Sequence, residues 1–199
     1  MLRSCILDTD HLTDRSEIVI SLVMYKAFIP GYFKDVSYII CKPDVPGIPA
    51  VALTAAGLRE LRLDLLAWHD RYQQYVRDRP YICPGTIDYD NHCKVISTYL
   101  SCILITNRLL TALSVVERSV LEAHSLKCAE QAFKLQEEVQ ATSTQTSLFL
   151  AQTVGVATTV QMTTHDWNGM NNSDDRNDGV LARTTFEGWN NICGRKLPE

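Results

Sequence analysis

The most regular pattern of apolar positions lies between Thr54 and about Arg77. Leu58, Leu61, Leu65, Trp68, Tyr72 and Tyr75 recur at alternating spacings of three and four residues. That alternation keeps one stripe of a helix apolar. Arg59, Glu60, Arg62, Asp64, Asp70 and Arg71 take the other faces, and Pro80 and Pro84 lie beyond the end. A seam this short predicts packing against neighbouring helices of the same domain rather than a long coiled coil.

An earlier helix is predicted from about Asp14 to Ile29. Asp14 with Glu17 makes a capping-box-like start, and Ile18, Leu22, Tyr25 and Ile29 follow at spacings of four, three and four. Pro30-Gly31 is expected to stop it. Gly31–Val51 holds Pro43, Pro46, Gly47 and Pro49 and reads as an irregular loop, with Val36–Cys41 open to a short strand.

After a loop at Pro80–Asp90, an apolar helix is predicted over about His92–Val116 and a third strong helix over about Glu117–Val139. The latter has a core face of Leu121, Cys128, Ala132, Leu135 and Val139. Its outer face carries Glu122, Lys127, Glu130, Lys134, Glu137 and Glu138. No proline interrupts 92–139, so one bent helix and two helices both fit. Ser143–Met162 suits a helix, although its Val and Thr content leaves a strand open. His165–Gly179 is a polar, turn-rich insertion, and Val180–Cys193 carries Phe186 and Trp189 as packing anchors.

The expected fold class is all-α, an irregular bundle of four to six helices. Residues 1–53 supply an N-terminal helix and a Pro-rich loop, and 54–163 a helical core. Residues 164–199 supply the polar insertion and the C-terminal segment of the same domain.

Composition adds exclusions. A chain of 199 residues, 46% hydrophobic and 21% charged, suits one compact domain. Its formal charge is −4, with 19 basic residues scattered among 23 acidic ones. Phosphate neutralisation needs clustered Lys and Arg, so direct nucleic-acid contact is not expected. Val95–Val116 has a single charge, Arg108, but also Ser97, Thr98, Ser101, Thr106, Asn107, Thr111 and Ser114. It reads as too polar to span a membrane and fits a helix buried in a bundle. The seven cysteines are irregularly spaced, and Met1–Asp10 lacks a basic stretch followed by an apolar run. Reduced thiols in the cytosol or nucleus are the simplest reading. Cys102 and Cys128 sit in apolar helical pattern, where Cys acts as a small hydrophobe.

Candidate chemistry is sparse. No Cys-x-x-Cys occurs, and Cys83, His92 and Cys93 are poorly spaced for zinc. His69-Asp70 matches the pair of the all-helical, metal-dependent phosphohydrolases of the HD type, for which His11 and Asp166 would be the further ligands. Beside Trp68 in the heptad helix, the pair reads more naturally as a solvated face. No nucleophile elbow, phosphate loop or dinucleotide fingerprint is present. His124 reads as a core or boundary histidine, and His165-Asp166-Trp167 is a candidate cavity lining. No catalytic, cofactor-binding or metal-ligating residue is assigned, and the chain is expected not to be an enzyme.

Two stretches carry a family resemblance. One is Ala55–Trp68, with its Leu61-x-x-x-Leu65-x-x-Trp68 spacing, followed by a Pro80/Pro84 loop and the apolar helix with Tyr99-Leu100 and Arg108-Leu109-Leu110. The other is the acidic helix Leu121–Val139, then Phe149-Leu150-Ala151-Gln152, Trp189 and Gly194–Pro198. In this order they resemble the C-terminal part of the helical regulatory domain of fungal zinc-cluster transcription factors, over about residues 54–199. The resemblance implies transcription regulation from the nucleus, through protein partners of the transcription machinery, self-association or a small-molecule effector. The six-cysteine DNA-binding cluster of that family is not in this chain, so a fragment or a relative that kept the regulatory region is expected. The alternative reading is a small helical ligand-binding protein, or a metal-dependent hydrolase using His69 and Asp70.

Overall fold

The computed structural model describes residues 15–41, 47–79, 82–114, 116–142 and 148–165. Every regular element among them is a helix: α1 (Arg15–Cys41), α2 (Ile48–Arg77), α3 (Ile87–Leu113), α4 (Arg118–Thr142) and α5 (Leu148–His165). The all-α bundle inferred from periodicity is the fold observed. His165, the first residue of the expected insertion, ends α5; the rest of the insertion and the anchors Phe186 and Trp189 lie outside the described residues.

Proline placed two boundaries wrongly. Helix α1 does not stop at Pro30-Gly31 but continues to Cys41, so neither a loop nor a strand occupies Val36–Cys41. An interior proline costs about 3 kcal/mol through its missing N–H and its ring. Beyond it, however, Val36, Ile39 and Ile40 are buried in a cluster with Ala55, Leu58, Leu109, Leu110 and Leu113. Each such side chain contributes about 1.5–3 kcal/mol on full burial, so three of them outweigh the proline. The apolar spacing also runs on past Pro30, which itself faces solvent. Helix α2 begins at Ile48 rather than Thr54, with Pro49 in its first turn. There the absent N–H would have had no intrahelical partner, and the fixed φ suits a helix start.

Helix α3 begins at Ile87, where the Thr86 hydroxyl accepts from Tyr89 N at 3.1 Å. Asp88 and Asp90 in the first turn favour the positive end of the helix dipole. Residues 92–139 form two helices, because Ser114 leaves helical geometry with φ −133° and ψ 116°. A continuous helix there would be about 70 Å long at 1.5 Å per residue, with both apolar faces uncovered. Folding back lays α4 along α3.

Helix α3 is the centre of the bundle and packs against the other four helices. By length and composition it is apolar enough to cross a membrane, contrary to the reading of Val95–Val116 as too polar. Yet 78% of its most apolar stretch is buried inside the protein. Several of its buried polar side chains bond to a neighbouring helix, and Thr106 and Thr111 bond back to carbonyls one turn earlier in α3. Thr153 of α5 places its hydroxyl 2.7 Å from Ser97 Oγ, 2.6 Å from Ser101 Oγ and 3.0 Å from the Ser97 carbonyl. A threonine hydroxyl has one proton, so when it goes to the carbonyl both serines donate to the Thr153 oxygen. Arg108, 1% exposed, donates from Nη2 to the Val160 carbonyl at 2.8 Å.

The α2 seam is buried as its spacing predicts. Leu58, Leu61, Leu65, Trp68 and Tyr72 are all buried, with Tyr75 partly so. Trp68 is fully buried, and its indole N–H donates to the Ile18 carbonyl of α1 at 2.8 Å. Gly57 lets α1 approach closely, since a Cβ there would lie 2.5 Å from the Tyr32 hydroxyl.

Candidate functional site

A group of polar and titratable side chains lies where α2, α3 and α4 meet. Arg62 of α2 donates from Nε to Asn107 Oδ1 at 2.9 Å. The Asn107 amide nitrogen lies 3.0 Å from His124 Nδ1 and 3.2 Å from Ser125 Oγ, both on α4. One turn along α4, Cys128 Sγ is 3.7 Å from His124 Nε2. His69 of α2 completes the group by stacking on Tyr99 of α3, with ring centroids 4.4 Å apart and planes 5° apart.

The orientation of Asn107 follows from chemistry. A guanidinium Nε–H can only donate, so the amide atom facing Arg62 is the oxygen and the atom facing His124 is the NH2. His124 Nδ1 must then accept, and the neutral ring carries its proton on Nε2. That N–H points at Cys128, so the sulfur meets a donor and not a base. The arrangement resembles a Cys–His–Asn catalytic set in composition but inverts its proton logic, because a thiol nucleophile needs a base that removes its proton. Cys128 is 3% exposed, and burial pushes its thiol up to about 11. The sulfur is therefore a neutral thiol, unlike a reactive cysteine in an electropositive, accessible setting.

Burial is also the main cause that lowers the pKa of His124, with Arg62, Lys127 and His69 adding in the same direction. His69 is lowered by burial as well, against an opposing pull from Asp70. His69 is thus partly buried and stacked, which corrects its placement on a solvated face; Asp70 is exposed as expected. Asp70→Ala is expected to change stability by less than about 0.5 kcal/mol. His69→Ala is expected to cost about 1–2 kcal/mol, since an aromatic pair contributes about 0.5–1.5 kcal/mol beyond its area. Chemical denaturation of the two single variants measures both.

The other sequence candidates are not brought together. Cys83 is exposed and Cys93 is buried, its thiol pushed up to about 11 mainly by burial. His92 stacks on Tyr72, whose hydroxyl is 3.1 Å from its Nδ1. His11, Asp166 and Trp167 lie outside the described residues. Among the described residues, no three His, Cys, Asp or Glu side chains stand together as a metal site.

Sequence reasoning missed Arg62 and Asn107 as members of this group. The available signal was Asn107 itself, an amide in the middle of an apolar helix, which must find partners when buried. No family model, curated protein or solved structure matches this chain.

Proposed function

We propose that the chain is a non-enzymatic helical regulatory domain that acts through protein contact, self-association or effector binding. The observation that carries this reading is the Arg62–Asn107–His124–Cys128 arrangement. The Cys128–His124 pair holds its protons in the order opposite to what nucleophilic catalysis needs. The polar cluster joins three helices, which supports a structural role for it. The residues of α2, α3 and α4 that resemble fungal zinc-cluster regulators support the more specific proposal of a transcriptional regulatory domain working in the nucleus. Tethering the chain to an unrelated DNA-binding module is the direct test. Reporter transcription is expected to change several-fold, and an inert fusion that is expressed and folded would sink the proposal.

The same reading predicts no specific DNA binding by the chain alone. On α4, Arg118, Lys127 and Lys134 stand against Glu122, Glu130, Glu137 and Glu138, with Glu117 just before the helix. Glu117 is also paired with Arg59 at 3.0 Å. Such a surface gains little from counterion release, and any contact should fall in the non-specific range, roughly 10⁻⁴–10⁻⁶ M, and fade with salt. Anisotropy titrations at two salt concentrations check this. Sequence-dependent, sub-micromolar binding that survives moderate salt would refute it.

A further inference from the structure

We propose that His124 is a proton-operated latch that holds α4 against the α2–α3 pair. The geometry leaves Asn107 no second arrangement. Its oxygen accepts from Arg62 Nε at 2.9 Å and its NH2 faces His124 Nδ1 at 3.0 Å. A proton added to Nδ1 would set an N–H against that NH2. Turning the amide over to offer its oxygen to His124 would set the NH2 against the Arg62 guanidinium. Either way, one proton breaks one of these two hydrogen bonds, the one from α2 to α3 or the one from α3 to α4. The buried Ser125 hydroxyl keeps its own bond to the Leu121 carbonyl but would lose the Asn107 N–H that it accepts when the amide turns over.

The surroundings make the imidazolium costly. From α2 the facing groups are Arg62 and His69, and from α3 the neutral Asn107, with Tyr99 stacked on His69. From α4 itself they are Lys127 and the Cys128 thiol. Arg62, Lys127 and a protonated His69 all oppose a positive charge on His124, and burial opposes it most. The ring is therefore held below its ordinary value of 6.5 in the folded chain. The unfolded chain takes up the proton first as the pH falls. The stabilisation is complete above about 6.5 and is lost as the pH drops from there toward the lowered folded value. His69 shifts in the same direction, so the two rings must be separated by substitution. The latch does not depend on what the domain regulates.

Two measurements on the full chain test it. Ring nitrogen chemical shifts of His124 at pH 8 are expected to show the Nε2–H tautomer, with Nδ1 unprotonated. Amide hydrogen exchange, corrected for its intrinsic pH dependence, is expected to show α4 protection falling below about pH 6.5. The fall is at most about tenfold per pH unit for one proton taken up. His124→Gln should flatten that dependence, and His69→Gln should retain it. An Nδ1–H tautomer would overturn the latch. So would pH-independent protection of α4, or a dependence that His69→Gln removes and His124→Gln leaves. If His124→Gln does not fold, the tautomer and the His69→Gln profile still decide.

Discussion

Replacing Trp68 by Ala should lower the unfolding free energy by about 3–5 kcal/mol, the range for removing a large aromatic from a packed core. The indole is fully buried, between the Tyr72 ring at 4.9 Å and the Tyr99 ring at 5.6 Å. Its N–H reaches across to the Ile18 carbonyl. Truncation therefore removes three things together: apolar burial, two ring contacts and a hydrogen bond between α1 and α2. Trp68→Phe keeps most of the burial and gives up the hydrogen bond, which contributes about 1 kcal/mol on average. It should fall well short of the Ala loss. Urea unfolding measures both, with an unchanged slope marking a loss of stability and not of compactness. A Trp68→Ala loss below about 1 kcal/mol would mean that the α2 seam is not part of the packed core.

The second large effect is expected at Asn107. Asn107→Leu should cost about 1–3 kcal/mol, although it exchanges a polar residue for an apolar one of similar size inside an apolar helix. A buried group left without its partner costs about 1–3 kcal/mol. Asn107 serves Arg62, His124 and Ser125 at once. Arg62 is partly exposed and can turn toward water. Ser125 keeps its bond to the Leu121 carbonyl at 2.8 Å. The loss therefore concentrates on His124 Nδ1. Asn107→Asp separates the proton logic from the packing, because a carboxylate oxygen would then face Nδ1 and favour its protonation. The His124 titration should move up in Asn107→Asp. A Leu variant as stable as the parent chain would show that the network contributes nothing.

The apolar stripes were legible in the sequence because they depend on spacing within one helix. Leu58 to Tyr72 in α2, and Leu121 to Val139 in α4, are buried where their periods put them. The errors came from proline, whose local rule is strong but not final. Pro30 was read as a stop because nothing local reveals that Val36 and Ile39 will find Leu58 and Leu109 to pack on. Pro49 was read as part of a loop although it is equally a first-turn residue. The candidate site was less legible for a different reason. Arg62, Asn107 and His124 belong to three helices, and their meeting is set by how those helices cross. A lone amide in an apolar helix announces that partners exist without naming them. His69 was misplaced in the same way, because its burial is supplied by Tyr99 from α3.

The central position of α3 has a consequence for synthesis on the ribosome. The helix is translated before α4 and α5, the two elements that cover much of it, and it is apolar enough to pass for a membrane-crossing segment. From Leu113 to the end of α5 at His165, about 50 more residues must be added. At 5–20 residues per second that takes roughly 3–10 s. During that interval α1 and α2 are its available intramolecular shelters. Until α4 and α5 arrive, part of its apolar surface is uncovered, the condition in which a chain is prone to aggregate. A chain truncated before α4 would stay in that condition permanently.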